Sequence, residues 1–135
     1  MEKFSNVKLI RIEFATPTVF TQGTRGDTPM PMPEYVFGGL ARRWNSTVPT
    51  QLVIPDNFQK EVYDNVTVSS FHGQTATVDI GDRLKKTGFV GQVSYRIHNP
   101  SIAIYCHLLA EAGFFTGVGA KTSRGMGCIR RLRVE

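Results

Sequence analysis

The hydrophobic pattern predicts an α+β fold of the ferredoxin-like (RRM-like) kind, in the order βαββαβ. Four antiparallel strands would carry two helices on one face, leaving the other face open. Three observations predict it. Strand-type alternation occupies residues 7–15 and 89–98. Two segments with helical spacing open at Pro33 and at Asn99-Pro100. A glycine-rich run, GFFTGVGAKTSRGMG, precedes a final short strand. The 135 residues, 41% of them hydrophobic, suit one domain spanning residues 1–135.

The elements follow in order. In residues 7–15, Ile10, Ile12 and Phe14 share one face and Arg11 and Glu13 the other, which makes a half-buried strand. Residues 16–32 read as loop, broken by Pro17, Gly23, Gly26, Pro29 and Pro31. Pro33 and Glu34 suit a first helical turn, by fixed φ and by charge at the positive end of the dipole. That helix should reach Trp44, with Tyr35, Val36, Leu40 and Trp44 apolar and Arg42 and Arg43 at its favourable end. Gly38 and Gly39 weaken it by roughly 1 kcal/mol each relative to alanine, so close packing against another element is expected there.

Residues 45–65 read as irregular, with a short strand at 51–54. Residues 66–80 read as strand broken at Gly73. Residues 81–88 read as a turn carrying Arg83, Lys85 and Lys86. In residues 89–98 one face is Phe89, Gly91, Val93, Tyr95 and Ile97; the other, holding Ser94, Arg96 and His98, should be wet. Asn99 and Pro100 open the second helix, Ile102, Tyr105, Leu108, Leu109 and Ala112 continue it, and Gly113 stops it. Phe114 and Phe115 should then close the core beneath the glycine loop, although exposed they would offer stacking surfaces for a base. Residues 128–134 form the last strand.

Composition limits the function classes. No run of about 18 apolar residues exists, so no membrane span is expected, and residues 1–4 show no secretory or transit pattern. Cys106 and Cys128 are too few for a zinc site and form no disulfide framework. A cytoplasmic protein without metal or cofactor is the expectation. The charge is lopsided. Lys121, Arg124, Arg130, Arg131 and Arg133 crowd the last nineteen residues against Glu135 alone, while the rest is nearly neutral. This points to a polyanionic partner, or to a solvated basic edge that resists aggregation.

The glycine run offers the chemistry for such a partner. Gly117-x-Gly119 and Gly125-x-Gly127 bracket Ala120-Lys121-Thr122-Ser123-Arg124. Glycines let backbone N–H groups approach a phosphate; Thr122 and Ser123 add hydroxyls, and Lys121 and Arg124 add charge. It is no mononucleotide P-loop, because the order is Gly-Ala-Lys-Thr and the run enters a strand. It also lacks the third glycine of a dinucleotide fingerprint. The bland alternative is a flexible connection.

The stretch LLAEAGFFTGVGAKTSRGMGCIRRL resembles the C-terminal signature of the CRISPR-associated endoribonucleases that process precursor CRISPR RNA, within the superfamily of repeat-associated mysterious proteins (RAMPs). IEFATPTVF, FGGLARRWN and GFVGQVSYRI resemble the first strand, first helix and central strand of that domain. The resemblance implies metal-independent cleavage, in which a 2′-hydroxyl attacks its neighbouring phosphate to leave a cyclic phosphate. It implies CRISPR repeat RNA as the partner. It also implies RNA contacts from Gly117, Gly119, Lys121, Thr122, Ser123, Arg124, Gly125 and Gly127, lengthened by Arg130, Arg131 and Arg133.

The family pairs two such domains and usually keeps its catalytic histidine in the first, which this sequence lacks. His98, on the wet face beside Arg96 and Ser94, is the remaining catalytic candidate; His72 and His107 read as structural or solvated. A separate N-terminal domain, other CRISPR effector subunits or a second copy are compatible partners. A non-catalytic scaffold subunit of an effector complex is the alternative function, and a small phosphate-ligand binder the third.

Overall fold

The computed structural model describes residues 8–21 and 26–133. Val7, residues 22–25 of the first loop and Val134 of the expected last strand lie outside the described residues. The elements are β1 (Leu9–Thr18), β2 (Phe20–Thr21), β3 (Asp27–Thr28), α1 (Pro33–Asn45), α2 (Phe58–Asn65), β4 (Val66–Asp79), β5 (Lys85–Ile97), α3 (Pro100–Thr116) and β6 (Ile129–Leu132), with single 3₁₀ turns at Thr50–Leu52 and Thr122–Arg124. The four long strands form one sheet in the order β4-β5-β1-β6, every pairing antiparallel. That is the ferredoxin-like arrangement the sequence predicts.

The period-2 pattern sorts the sheet's faces. Ile10 opposes Tyr95, Ile12 opposes Val93 and Phe14 opposes Gly91. These side chains meet Val36, Phe37 and Leu40 of α1 and Ile102, Cys106 and Leu109 of α3 in one core. Tyr95 is fully buried, yet its hydroxyl donates to the Pro31 carbonyl at 2.7 Å and its ring meets Phe37 edge-on at 5.3 Å. Burial pushes its phenol well above the usual range, so Tyr95 stays a neutral donor. On the open face Arg11 donates through Nε to Ser94 Oγ at 3.0 Å. Ser94 is consequently buried beneath an arginine rather than wet.

Several boundaries differ from expectation for identifiable reasons. β1 does not stop at Ala15. It runs to Thr18 through a register shift between Phe14 and Thr18, and Pro17 sits in that bulge, where a missing N–H costs no ladder bond. β4 is not broken at Gly73. That glycine lets the Phe89 ring pack across the strand pair, since a Cβ would stand 2.6 Å from the ring. β5 begins at Lys85, so the tight turn is confined to residues between the two strands.

The short strand expected at 51–54 is absent. Asn45 imitates a neighbouring strand instead, accepting from Ile54 N at 2.7 Å and donating to Ile54 O at 3.0 Å. Helix α2 was not anticipated, because only Phe58 and Val62 anchor it. It accounts for Gly38, where a Cβ would meet Gln59 at 2.8 Å. Asn99 caps α3 by accepting from Ser101 N at 3.0 Å. The helix does not stop at Gly113 but ends at Thr116 with Gly117 as its cap. That last turn leaves Phe114 and Phe115 65% and 84% exposed, correcting their expected place in the core. No described helix is long and apolar enough to cross a membrane.

Candidate RNA interface

The bulge in β1 is where the glycine turn docks. Ala15 donates to Cys128 O at 2.8 Å, Gly127 donates to Pro17 O at 3.0 Å, and Cys128 donates to Thr16 Oγ1 at 3.0 Å. Farther along, Ala120 donates to Val19 O at 2.9 Å, and the turn's two arms join where Val118 donates to Gly127 O at 3.0 Å. Val118 and Met126 are buried beneath it. Proline and the bulge thus turn carbonyls outward that a regular strand would spend on its neighbour.

Arg43, in the last turn of α1, braces the turn from the other side. Its guanidinium donates to Thr116 O at 2.7 Å, Gly119 O at 2.5 Å and Thr122 Oγ1 at 3.2 Å. Desolvation lowers the pKa of Arg43, with a smaller push from the neighbouring Arg42. The sequence places Arg43 at the favourable end of a helix and gives no hint of this role. No local signal reveals it, because its acceptors lie more than seventy residues away.

This geometry corrects the expected phosphate cradle. The N–H groups of Gly117, Val118, Ala120, Arg124, Gly125, Met126 and Gly127 already donate within the protein. Gly119 and Gly127 are required for close backbone packing: a Cβ on Gly119 would lie 2.5 Å from Val19 O, and one on Gly127 would overlap Val118 O. Arg124 does not point into a cradle; its Nη1 donates to the Ile80 carbonyl in the β4–β5 turn. The Thr122 hydroxyl oxygen accepts from Arg43. Lys121 and Ser123 remain exposed on the rim. The amides of Lys121, Thr122 and Ser123 have no acceptor among the described residues. Asp27 lies near this rim; its pKa is lowered mainly by the bond from Lys86 Nζ at 2.6 Å, with Lys121 a lesser contributor.

The expected basic extension is divided. Arg130 lies on the open face, paired through Nε with Glu13 Oε1 at 2.7 Å. Arg131 lies on the helix side, with Nη1 2.8 Å from Glu111 Oε1. Successive strand residues point to opposite faces, so the two cannot form one track. Arg133 is exposed.

His98 is exposed and shares a 2.9 Å contact with Thr67 Oγ1. It follows the end of β5, beside Asn65, whereas the turn meets β1 next to Thr18, the partner of Phe89. Nine positions at roughly 3.3 Å each separate these ends by about 30 Å. His98 therefore cannot act on a phosphate held at the turn. His72 is exposed on β4, and His107 is buried in α3. Among the described residues no group of His, Cys, Asp and Glu could hold a metal ion.

The cysteines differ in reactivity. Burial pushes the Cys106 thiol up to about 12, whereas Cys128 is exposed beside the turn. At pH 8 a thiol reagent should therefore modify one cysteine, Cys128, with Cys106 reacting only on denaturation. Peptide mapping after brief labelling checks this; prompt modification of Cys106 in the folded chain would contradict its burial.

The four-stranded ferredoxin-like sheet is consistent with the fold of the repeat-associated mysterious protein class. Within that class the chain belongs to the family of the CRISPR-associated endoribonuclease Cas6, whose profile matches residues 12–129. It is 33% identical to the Cas6 endoribonuclease of Mycobacterium tuberculosis over 122 residues, covering 89% of this chain and 38% of that relative. A Streptococcus thermophilus Cas6 is 25% identical, over 93% of this chain and 51% of its own length. The Thermus thermophilus Cas6 structure superposes with a TM-score of 0.84 at 26% identity, covering 97% of this chain and 57% of that one. A Cas6 product complex gives 0.82 at 28% identity, covering 98% and 56%. The chain thus spans between about two fifths and three fifths of the length of these relatives.

Proposed function

We propose that this chain is the RNA-gripping part of a CRISPR repeat endoribonuclease and that it holds precursor CRISPR RNA at the rim of the braced turn. The observation that carries the reading is the rim itself. Lys121 and Ser123 stand exposed at the head of a turn fixed by Arg43, beside backbone N–H groups that have no acceptor among the described residues. Lys121 has φ +60, a left-handed conformation that costs a side-chain-bearing residue about 1 kcal/mol. Membership in the Cas6 family supports the RNA as ligand. His98 lies too far from the rim to be the base or acid for 2′-hydroxyl attack, a role that a second domain or partner chain would fill.

Replacing Lys121 by alanine should weaken repeat-RNA binding about fivefold and lower the slope of log affinity against log salt by about one, with thermal stability unchanged. Filter binding across a salt series measures both. Binding equal to the parent at every salt concentration would remove the rim from the interface.

A second reading, a scaffold subunit of an effector complex, is favoured by β4. This fourteen-residue strand is an edge of the sheet among the described residues and exposes Val68 and Phe71, a surface suited to a neighbouring protein. Incubation with repeat RNA in chelator separates the readings. A single cut with a cyclic-phosphate end shows an autonomous nuclease, whereas binding without cutting shows a binding domain or scaffold.

A further inference from the structure

We propose that the groove between α1 and the glycine turn seats one unpaired nucleotide of the bound RNA, its phosphate on Arg42 and its base against Tyr35. This rests on the RNA-binding reading above and names a site for it. The groove has a cavity volume of about 640 Å³, within the range of small-ligand sites. One wall is α1, with Tyr35, Gly39 and Arg42; the other is the turn, with Gly119 and Ala120. Gly39 lets α1 pack on the Val118 side chain, 3.2 Å from where a Cβ would stand, and Gly119 lets the turn pack on Val19 O. Phe20 and Gln59 line the remaining sides.

The chemistry matches a nucleotide on both counts. Tyr35 is half-buried, packed against the core, with its ring centroid 6.0 Å from that of Phe20 at a 35° tilt. A base laid on it gains stacking without ordering a loose side chain. Arg43 is committed to the turn, but Arg42, one residue earlier, is exposed and makes no hydrogen bond or ion pair with the described residues. The two guanidiniums repel each other, and an anion at Arg42 relieves that repulsion. Among the described residues no carboxylate lines the groove. Arg43 lines the groove as well and its acceptors are neutral oxygens, so two positive charges stand there to hold a phosphodiester. A duplex keeps its bases stacked inside and has nothing to offer a narrow groove with an aromatic floor.

Two measurements on the 135-residue chain test this. In the first, 5′-AMP is titrated alone and amide shifts are followed by NMR. Saturable shifts at Gly39, Gly119 and Arg42 are expected, weakened about tenfold by Arg42→Gln. In the second, repeat RNA carrying one 4-thiouridine at successive unpaired positions is photocrosslinked and the adducts mapped. One position should crosslink to the peptide holding Tyr35. Tyr35→Leu, with melting temperature as the folding control, should lower affinity for single-stranded but not duplex RNA about tenfold. If RNA binds with its Lys121 dependence intact while neither AMP nor any crosslink reaches the groove, the nucleotide site is wrong and the RNA reading stands. If AMP fills the groove but RNA does not bind, the occupant is a free nucleotide, and both the RNA occupant and the RNA reading fail.

Discussion

Replacing Arg43 by methionine should destabilise the chain by about 2–3 kcal/mol and loosen the glycine turn selectively. The arginine's three hydrogen bonds reach acceptors on the first arm and the head of the turn, at Thr116, Gly119 and Thr122. Bonds from a charged donor are worth about 1.5–3 kcal/mol each net, but the site is only partly buried, so water can take over some acceptors and the sum is not realised. Lysine should not rescue, because a single ammonium cannot reach three acceptors spread in a fork. Urea unfolding gives the loss in stability. Hydrogen exchange should show the Val118 amide, bonded across the turn, and the Ala120 amide, bonded to Val19 O, opening well before those of β1 and β5. Repeat-RNA affinity should fall with the turn's order even at temperatures where the variant remains folded. An Arg43→Met chain within 0.5 kcal/mol of the parent, with both amides as slow as before, would show that Arg43 is no brace.

The same arginine shows where the sequence is silent. Short-range patterns report which face of an element is buried, and they work: Ile10, Ile12, Phe14, Val93, Tyr95 and Ile97 are core as the alternation requires. Caps and breakers report element starts, and Pro33 and Asn99-Pro100 stand at theirs. Together these suffice for the ferredoxin-like order. They do not report what a polar side chain reaches across the fold. Asn45 replacing a strand neighbour for Ile54, Arg11 covering Ser94 and Arg43 entering the turn are all contacts between distant elements.

The end of α3 differs from expectation for a related reason. Gly113 reads as a stop, yet it lies against Ile129 and Leu40, where a Cβ would come within 3.0 Å of either side chain. It is a packing glycine inside a helix, and only the following Gly117 has the positive φ of a cap. At the candidate site, residue types were legible but their assignments were not. Lys121 and Ser123 keep the exposure an RNA contact needs, while Arg124, Arg130 and Arg131 are each engaged with another element.

Glycines in this turn carry different burdens, and alanine substitution should separate them. Gly127→Ala should cost about 3–5 kcal/mol and compromise folding at 37 °C. Gly125→Ala should cost only about 1 kcal/mol. Both have positive φ, +73 and +87, so the conformational penalty is common to the pair. The difference is space. Nothing lies within 4 Å of a Cβ on Gly125, whereas on Gly127 that carbon would overlap the Val118 carbonyl, far inside the 3.0 Å that real Cβ atoms respect.

The backbone cannot yield cheaply at Gly127, since its own N–H bonds Pro17 O and its carbonyl takes the Val118 N–H. Relief of the clash breaks one or both and detaches the turn from the β1 bulge. A phosphate cradle makes the opposite forecast: the exposed Gly125 would be the position where a methyl blocks RNA, with folding intact. Urea denaturation and RNA binding on the two variants decide between these accounts. Equal stability losses for Gly125→Ala and Gly127→Ala, with RNA binding abolished only by the former, would restore the cradle and remove the packing role assigned to these glycines.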